Sequence, residues 1–77
     1  MDNKEMLLEA MRSLLDNGEI VGFGATHIGD KLVAETQRGD VVVRAEADNA
    51  GVRIGAASFY SEEDIKSAIL EKLYAAE

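Results

Sequence analysis

The fold is decided by the segment between residues 29 and 47, which reads GDKLVAETQRGDVVVRAEA. Apolar and polar residues alternate in this segment on both sides of Arg38-Gly39, and a period of two is the pattern of a strand with one buried face. We predict β-strands over residues 31–37 and 40–47, joined by a tight turn at Arg38-Gly39. These two strands form the centre of an antiparallel sheet.

The sheet extends by one strand on each side of this pair. Gly29-Asp30 suits a two-residue hairpin loop with glycine first, so we predict a strand over residues 20–28 before it. A longer turn over residues 48–51 separates the third strand from a fourth, which we predict over residues 52–59. The prediction is therefore an antiparallel four-stranded meander.

Three facing pairs give the register that we predict: Ile28 with Lys31, Gln37 with Asp40, and Ala47 with Val52. These pairs place the apolar residues of all four strands on one face, whereas a slip of one residue would move each side chain to the other face. His27 lies on the apolar face, and we expect it to be a partly buried, structural histidine. The opposite face places Glu46 across from both Lys31 and Arg53, and facing charges of opposite sign stabilise a sheet by about 0.2–1 kcal/mol.

Two amphipathic helices flank the sheet. The first is predicted over residues 4–16 and stops at residues 17–18, which read Asn-Gly. The second begins after the N-cap Ser61, where Tyr60 is expected to pack on Ile65, and runs to about residue 75. Both helices pack their apolar stripes on the apolar face of the sheet. The predicted fold class is α+β, a single two-layer α-β-β-β-β-α domain over residues 1–77.

The composition excludes most catalytic chemistry. The 77 residues include no cysteine and one histidine, so the chain has no thiol nucleophile, no disulfide and no ligand set for zinc. Gly22-Phe23-Gly24 lies inside a predicted strand rather than before a helix, which is not the setting of a phosphate-binding loop. We therefore predict that the protein is not an enzyme and that it holds no cofactor and no metal.

The net charge of −7 lies mainly in the helical segments. Residues 1–20 contain five acids and two bases, residues 21–60 five and four, and residues 61–77 five and two, which gives −3, −1 and −3. This balance disfavours phosphate backbones and anionic membranes as partners. No apolar run is long enough to cross a bilayer and the first residues do not resemble a signal peptide, so we expect a cytoplasmic protein.

Two surfaces are candidates for binding a partner protein. One is the acidic surface of the helices, whose candidate residues are Glu5, Glu9, Glu62, Glu63 and Asp64. The other is the exposed face of the sheet, where charges frame small and apolar residues; its candidate residues are Val33, Val42, Arg44 and Arg53. The first strand is also a candidate edge, whose glycine-rich backbone could pair with another chain, and a homodimer is one expected form of that pairing.

The order of a helix, a set of strands and a helix resembles the double-stranded RNA-binding domain in topology. That family implies RNA binding through a lysine-rich start to the last helix, but the corresponding stretch here is Ser61-Glu62-Glu63-Asp64, which has the opposite charge. Direct binding of nucleic acid is therefore disfavoured.

In size, acidity and lack of catalytic groups, the chain is similar to phage-encoded inhibitors of host defence, including anti-CRISPR proteins, and to antitoxin and immunity proteins. This similarity implies an inhibitor that binds and occludes another protein, such as a basic nucleic-acid-handling protein. The alternative is a homo-oligomeric structural or accessory subunit that assembles through its sheet.

Overall fold

The structure is a computed structural model that describes residues 2–75. In chain order its elements are α1 (Asn3–Asp16), β1 (Phe23–Ile28), β2 (Lys31–Arg38), β3 (Val41–Asp48), β4 (Gly51–Ile54), β5 (Ala57–Phe59) and α2 (Glu62–Leu73). The strands form one antiparallel sheet in the order β1-β2-β3-β4-β5. The predicted α+β class is confirmed, whereas the predicted count of four strands is wrong.

The segment over residues 52–59 is two strands rather than one. Gly55 and Ala56 form a two-residue turn, so that Ile54 faces Ala57 across a hairpin. Gly55 has a φ of +62°, and a positive φ at the first turn residue is the geometry of the type II′ turn that suits the twist of a hairpin. The turn escaped the sequence analysis because the apolar run around Gly55 contains no polar residue to interrupt the strand pattern.

The register is confirmed at two of the three predicted pairs and wrong at the third. Ile28 faces Lys31 and Ala47 faces Val52, as predicted. Between β2 and β3, Arg38 faces Val41, because the turn is Gly39-Asp40 with a φ of +60° at Gly39. The predicted turn at Arg38-Gly39 shifted the pairing by two residues. A shift of two leaves every side chain on its predicted face but changes its direct neighbour.

The first strand begins at Phe23 rather than at residue 20. The N–H groups of Gly18 and Glu19 donate to the carbonyls of Leu15 and Leu14 over 3.0 and 2.9 Å, which is the hydrogen-bond pattern of a Schellman motif at the end of α1. Gly18 adopts the left-handed conformation, with a φ of +72°. The chain then buries Ile20 in the core before it enters the sheet.

The core lies between the two helices and one face of the sheet, which we call the inner face. Its buried residues are Leu7, Ala10, Met11 and Leu14 of α1, Ile65, Ile69 and Leu73 of α2, Ile20 of the connection, and Leu32, Ala34, Val43, Ala45, Ala47, Val52 and Ile54 of the sheet. The sheet residues of this core belong to β2, β3 and β4. The helical layer therefore covers the middle of the sheet and reaches the edge strands only at Phe23 and Phe59, which are half-buried against the core.

Both helices begin at the same end of the sheet. The side-chain amide of Asn3 donates to the carbonyl of Asp48 over 2.8 Å, which anchors the start of α1 beside the β3–β4 turn. The chain leaves β5 at that same end, because Phe59 pairs with Val52, and it enters α2 three residues later. At the other end the guanidinium of Arg38 lies 4.0 Å from the ring centre of Tyr74, a cation–π contact.

Tyr60, which was predicted to pack on Ile65, is 69% exposed, and its ring lies against Gly51. A Cβ on Gly51 would lie 2.9 Å from Cε1 of Tyr60, so the position accepts the ring only because it is glycine.

Among the helices over residues 2–75, none is long and apolar enough to cross a membrane.

Candidate protein-binding surfaces

The outer face of the sheet, which points away from the helices, satisfies many of its charges internally. Lys31 Nζ lies 3.2 Å from Glu46 Oε1, and Arg53 holds both carboxylate oxygens of Asp48, with an Nη2–Oδ2 distance of 2.7 Å and an Nη1–Oδ1 distance of 3.3 Å. The hydrogen bond from Arg53 and a second from the N–H of Ala50 lower the pKa of Asp48 to about 2. A charge that is already bonded in this way contributes little to attracting a partner.

The predicted sheet-face residues are not equally accessible. Val33 was predicted to be exposed but is buried, with 5% of its surface accessible, because Thr26 and Glu46 flank it on the neighbouring strands. Arg53 is half-buried in its ion pair. Val42 is 54% exposed and Arg44 is exposed, so these two residues are the accessible part of the predicted set.

The predicted acids of the helical layer also have structural roles. Glu9 pairs with Arg12 at 2.7 Å and Glu63 pairs with Lys66 at 2.8 Å, each one turn along its own helix. The hydrogen bond with Glu63 is the main reason why the pKa of Lys66 is raised, and Lys66 also donates to the Ser13 hydroxyl over 3.3 Å, which links the two helices. These contacts leave Glu9 and Glu63 partly neutralised.

Glu5, Glu62 and Asp64 occupy the first turns of α1 and α2. Negative charge at a helix N-terminus is favoured by the helix dipole, by about 0.3–1 kcal/mol per group at a surface. The caps themselves are Asp2, which accepts from the N–H of Glu5 over 2.8 Å, and Ser61, which accepts from the N–H of Asp64 over 3.2 Å. The structure brings the three acids to one end of the helical layer, where both helices begin.

The open edge of β1 is the surface that differs most from an ordinary solvated face. Within residues 2–75, no strand pairs with the far side of β1. Residues 24–28 are exposed, because the helical layer reaches β1 only at Phe23, which is half-buried against the core. Residues 20–29 contain no acidic or basic side chain apart from His27, and the six consecutive pairs with β2 run without a bulge.

Natural proteins protect exposed sheet edges with lysine, proline, bulges, very short strands or a covering element. β5, at the other edge, has three residues and continues directly into α2, whose Asp64 and Glu71 border the groove beside it. β1 has six residues and lacks every one of these devices over the described part of the chain. The contrast between the two edges identifies β1 as the edge that is suited to pairing.

His27 does not have the predicted structural role. It faces Leu32 on the inner side of the sheet, as the predicted register required, but its side chain is exposed. The reason is that the helices cover β2 to β4 and reach β1 only at Phe23. The sequence pattern gives the face of a strand residue, but it does not give the width of the layer that covers that face.

Comparison with protein-family models, with curated proteins and with solved structures finds no match to this chain. In the part of the chain that the structure describes, no three or more His, Asp or Glu side chains come together as a group that could hold a metal ion.

Proposed function

We propose that this protein is a small protein-binding module whose contact is the open edge of β1, which takes an extended segment of another polypeptide as an additional strand. The observation that carries this proposal is the unprotected, uncharged edge over Phe23–Ile28. In strand addition the backbone supplies most of the affinity, and the side chains beside the strand supply the specificity. A module of this kind acts by binding rather than by catalysis.

The backbone groups available for this contact follow from the hairpin geometry. Ile28 and Lys31 flank a two-residue turn and therefore exchange hydrogen bonds, and in an antiparallel ladder such pairs alternate with pairs that do not. Residues 24, 26 and 28 thus bond to β2. Residues 23, 25 and 27 direct their N–H and C=O groups to the open edge. Three residues with unused donors and acceptors are enough to align a short added strand.

The negative charge of the helical segments favours partner segments that are flanked by basic residues. The strand itself is neutral, while the helical segments carry −6 of the net −7. Glu5, Glu62 and Asp64 then attract a segment flanked by lysine or arginine, an effect that acts mainly on the association rate and is screened by salt. When the captured segment belongs to a functional surface of the partner, binding occludes that surface. An inhibitor of the anti-CRISPR, antitoxin or immunity type would act in this way.

Two proline variants test the edge with a matched control. Ala25→Pro removes an N–H that points to the open edge of β1. Ser58→Pro removes the corresponding N–H at the open edge of β5, because Ser58 follows the Ile54–Ala57 pair that closes the last turn. Both residues are exposed, and neither substitution removes a bond between strands. Circular dichroism first checks that both variants are folded.

The binding measurement uses each immobilised variant to capture proteins from an extract of the native host, followed by titration of the purified captured protein. We expect wild type and Ser58→Pro to bind it equally and Ala25→Pro to bind at least about tenfold more weakly, since losing one to two backbone hydrogen bonds has that effect. Equal affinity for all three forms would contradict the proposal.

A second variant tests the role of charge. Reversing Glu62, Glu63 and Asp64 together to lysine should slow association with the captured protein and reduce its salt dependence. An unchanged association rate would remove these acids from the interface, whereas the edge would still be tested by Ala25→Pro.

A further inference from the structure

We infer, resting on the proposed use of the open edge, that in the isolated protein the open edge of β1 pairs with the β1 strand of a second copy. The two strands run antiparallel, with the two-fold axis at Ala25. The result is a continuous ten-stranded sheet with the four helices on one face, since a two-fold axis perpendicular to the sheet leaves its inner and outer sides unchanged.

Charge allows this pairing although each chain carries −7. Residues 20–29 hold no acid and no lysine or arginine, so no like charges meet along the seam. The nearest acids along the chain, Glu19 and Asp30, lie just outside this stretch in the α1–β1 connection and the β1–β2 turn, and the other acids lie farther from the edge. By contrast, at the β5 edge Asp64, Glu71 and Lys72 of α2 line the adjacent groove, so a second copy there would have to accommodate charged side chains.

Backbone geometry fixes the register. A two-fold axis at a residue of β1 places odd-numbered residues opposite odd-numbered ones and even opposite even. The backbone N–H and C=O groups that point to the open edge belong to residues 23, 25 and 27. An axis at Ala25 pairs Ala25 with itself and Phe23 with His27 of the other copy, so that all three outward residues of each strand are hydrogen-bonded. An axis at Thr26 would leave Phe23 opposite Gly29, which lies in the β1–β2 turn. The first arrangement uses the backbone of the strand more completely.

Side-chain sizes agree with the same register. Ile28, the last residue of β1, is 54% exposed. With the axis at Ala25, Ile28 faces Gly22 of the other copy. A Cβ on Gly22 would meet no atom within 4 Å of its own chain, so there is open space beside this glycine. The exposed side chain of Ile28 therefore meets a glycine.

Analytical ultracentrifugation tests the association. We expect wild type and Ser58→Pro to sediment as a dimer of 8.3 kDa chains at high concentration, and Ala25→Pro to dimerise about thirtyfold more weakly, the change for losing two backbone hydrogen bonds. A monomer for folded wild type at the highest soluble concentration would overturn the inference. A dimer that Ala25→Pro leaves intact would overturn it as well.

Charged variants test the axis, because residue 25 should face its own copy. Ala25→Lys and Ala25→Glu should each weaken the dimer, and an equimolar mixture of the two should restore it as a heterodimer. The same pair of changes at Val42 is the matched control and should leave the dimer unchanged in every combination. Failure of the mixture to associate better than either variant alone would contradict the axis at Ala25.

Cysteine variants give the register directly, because the chain contains no natural cysteine. Facing Cα atoms in an antiparallel pair are about 4.5–5.5 Å apart, which is within the range of a disulfide. Under mild oxidation Ala25→Cys should cross-link much faster than Thr26→Cys or Ser58→Cys. Faster cross-linking of Thr26→Cys would overturn the stated register.

These results also separate the inference from the proposed function. If wild type is a monomer but Ala25→Pro loses affinity for the captured protein, the second copy is excluded and the binding edge remains. If the dimer forms as described but the captured protein binds Ala25→Pro as well as wild type, the second copy is supported and the proposed use of the edge for a different partner fails.

Discussion

Gly51 provides the sharpest test of the local geometry, because its backbone and its neighbour both restrict the residue. Gly51 is buried, has a φ of +143° and lies under the ring of Tyr60. A Cβ added to Gly51 would lie 2.9 Å from Cε1 of that ring. Replacement by alanine therefore meets two costs, a backbone conformation that L-residues rarely adopt and a contact with the ring. Backbone strain of this kind costs about 1–3 kcal/mol.

The backbone is expected to account for most of the effect of Gly51→Ala. Tyr60 is 69% exposed, so its ring can swing away, whereas the φ of residue 51 is held by the β3–β4 turn. We therefore expect the free energy of unfolding to fall by about 1–3 kcal/mol, and Tyr60→Ala to recover less than about 0.5 kcal/mol of that loss in a double-mutant cycle.

Urea unfolding followed by far-UV circular dichroism measures both quantities. Gly24→Ala is the control, because Gly24 has no positive φ and open space around its Cα, and its substitution should change stability by less than about 0.5 kcal/mol. The assignment of the lost stability to the backbone of residue 51 would be wrong if Gly51→Ala cost no more than this control, or if Tyr60→Ala restored the whole loss in free energy of unfolding.

Three further predictions concern the ion pair, the helix start and the core. Because the pKa of Asp48 falls from 3.8 to about 2 on folding, its carboxylate stabilises the fold above pH 4 and this contribution is lost as the pH falls towards 2. An acid titration of stability should thus be steeper for wild type than for Asp48→Asn, and parallel curves would contradict this. Replacing Glu62, Glu63 and Asp64 by their amides should lower the free energy of unfolding by about 1–3 kcal/mol at low salt, and by less at 1 M salt, where interactions with the helix dipole are screened. An equal loss at the two salt concentrations would exclude the helix dipole as its cause. Ile54→Ala should cost about 2–5 kcal/mol and Ile54→Val about 0.5–1.5 kcal/mol in thermal or urea unfolding, and similar losses for the two would show that Ile54 is not close-packed.

Much of the fold follows from local sequence patterns. The period of two predicted the faces of β2 and β3, and the helix signals at Ser61 and Gly18 predicted where α2 begins and α1 ends. The register between β2 and β3 was predicted wrongly because two turn positions were equally consistent with the alternation of apolar and polar residues. A turn at Arg38-Gly39 and a turn at Gly39-Asp40 place the same residues on the inner face, so only the φ of Gly39 distinguishes them.

Gly55 shows which signal would have improved the prediction. Three of the four hairpin loops begin with a glycine at a φ near +60°, namely Gly29, Gly39 and Gly55. The first was identified as a glycine-first loop, and the same rule applied to all three would have given five strands and the correct register. The run from Ile54 to Ala57 contains no polar residue, so only the backbone conformation of Gly55 marks this turn.

The candidate surfaces depended on information that a one-dimensional pattern does not contain. Val33 and His27 were assigned to the correct faces, but their exposure was reversed, because burial depends on neighbours across strands and on the width of the helical layer. Ion pairing likewise depends on distance: Glu46 and Lys31 are bonded diagonally although they are not facing residues. The edge strand was identified from its glycines, and the structure adds that the helical layer covers it only at Phe23.

The proposed pairing of the open edge of β1 with a second strand can be observed residue by residue through amide hydrogen exchange measured by NMR. In dilute protein the amides of residues 24, 26 and 28 should be protected and those of 23, 25 and 27 should exchange freely. At high concentration the amides of residues 23, 25 and 27 should become protected in wild type and those of 23 and 27 should stay unprotected in Ala25→Pro. Free exchange at these three residues at every concentration would contradict the proposed pairing.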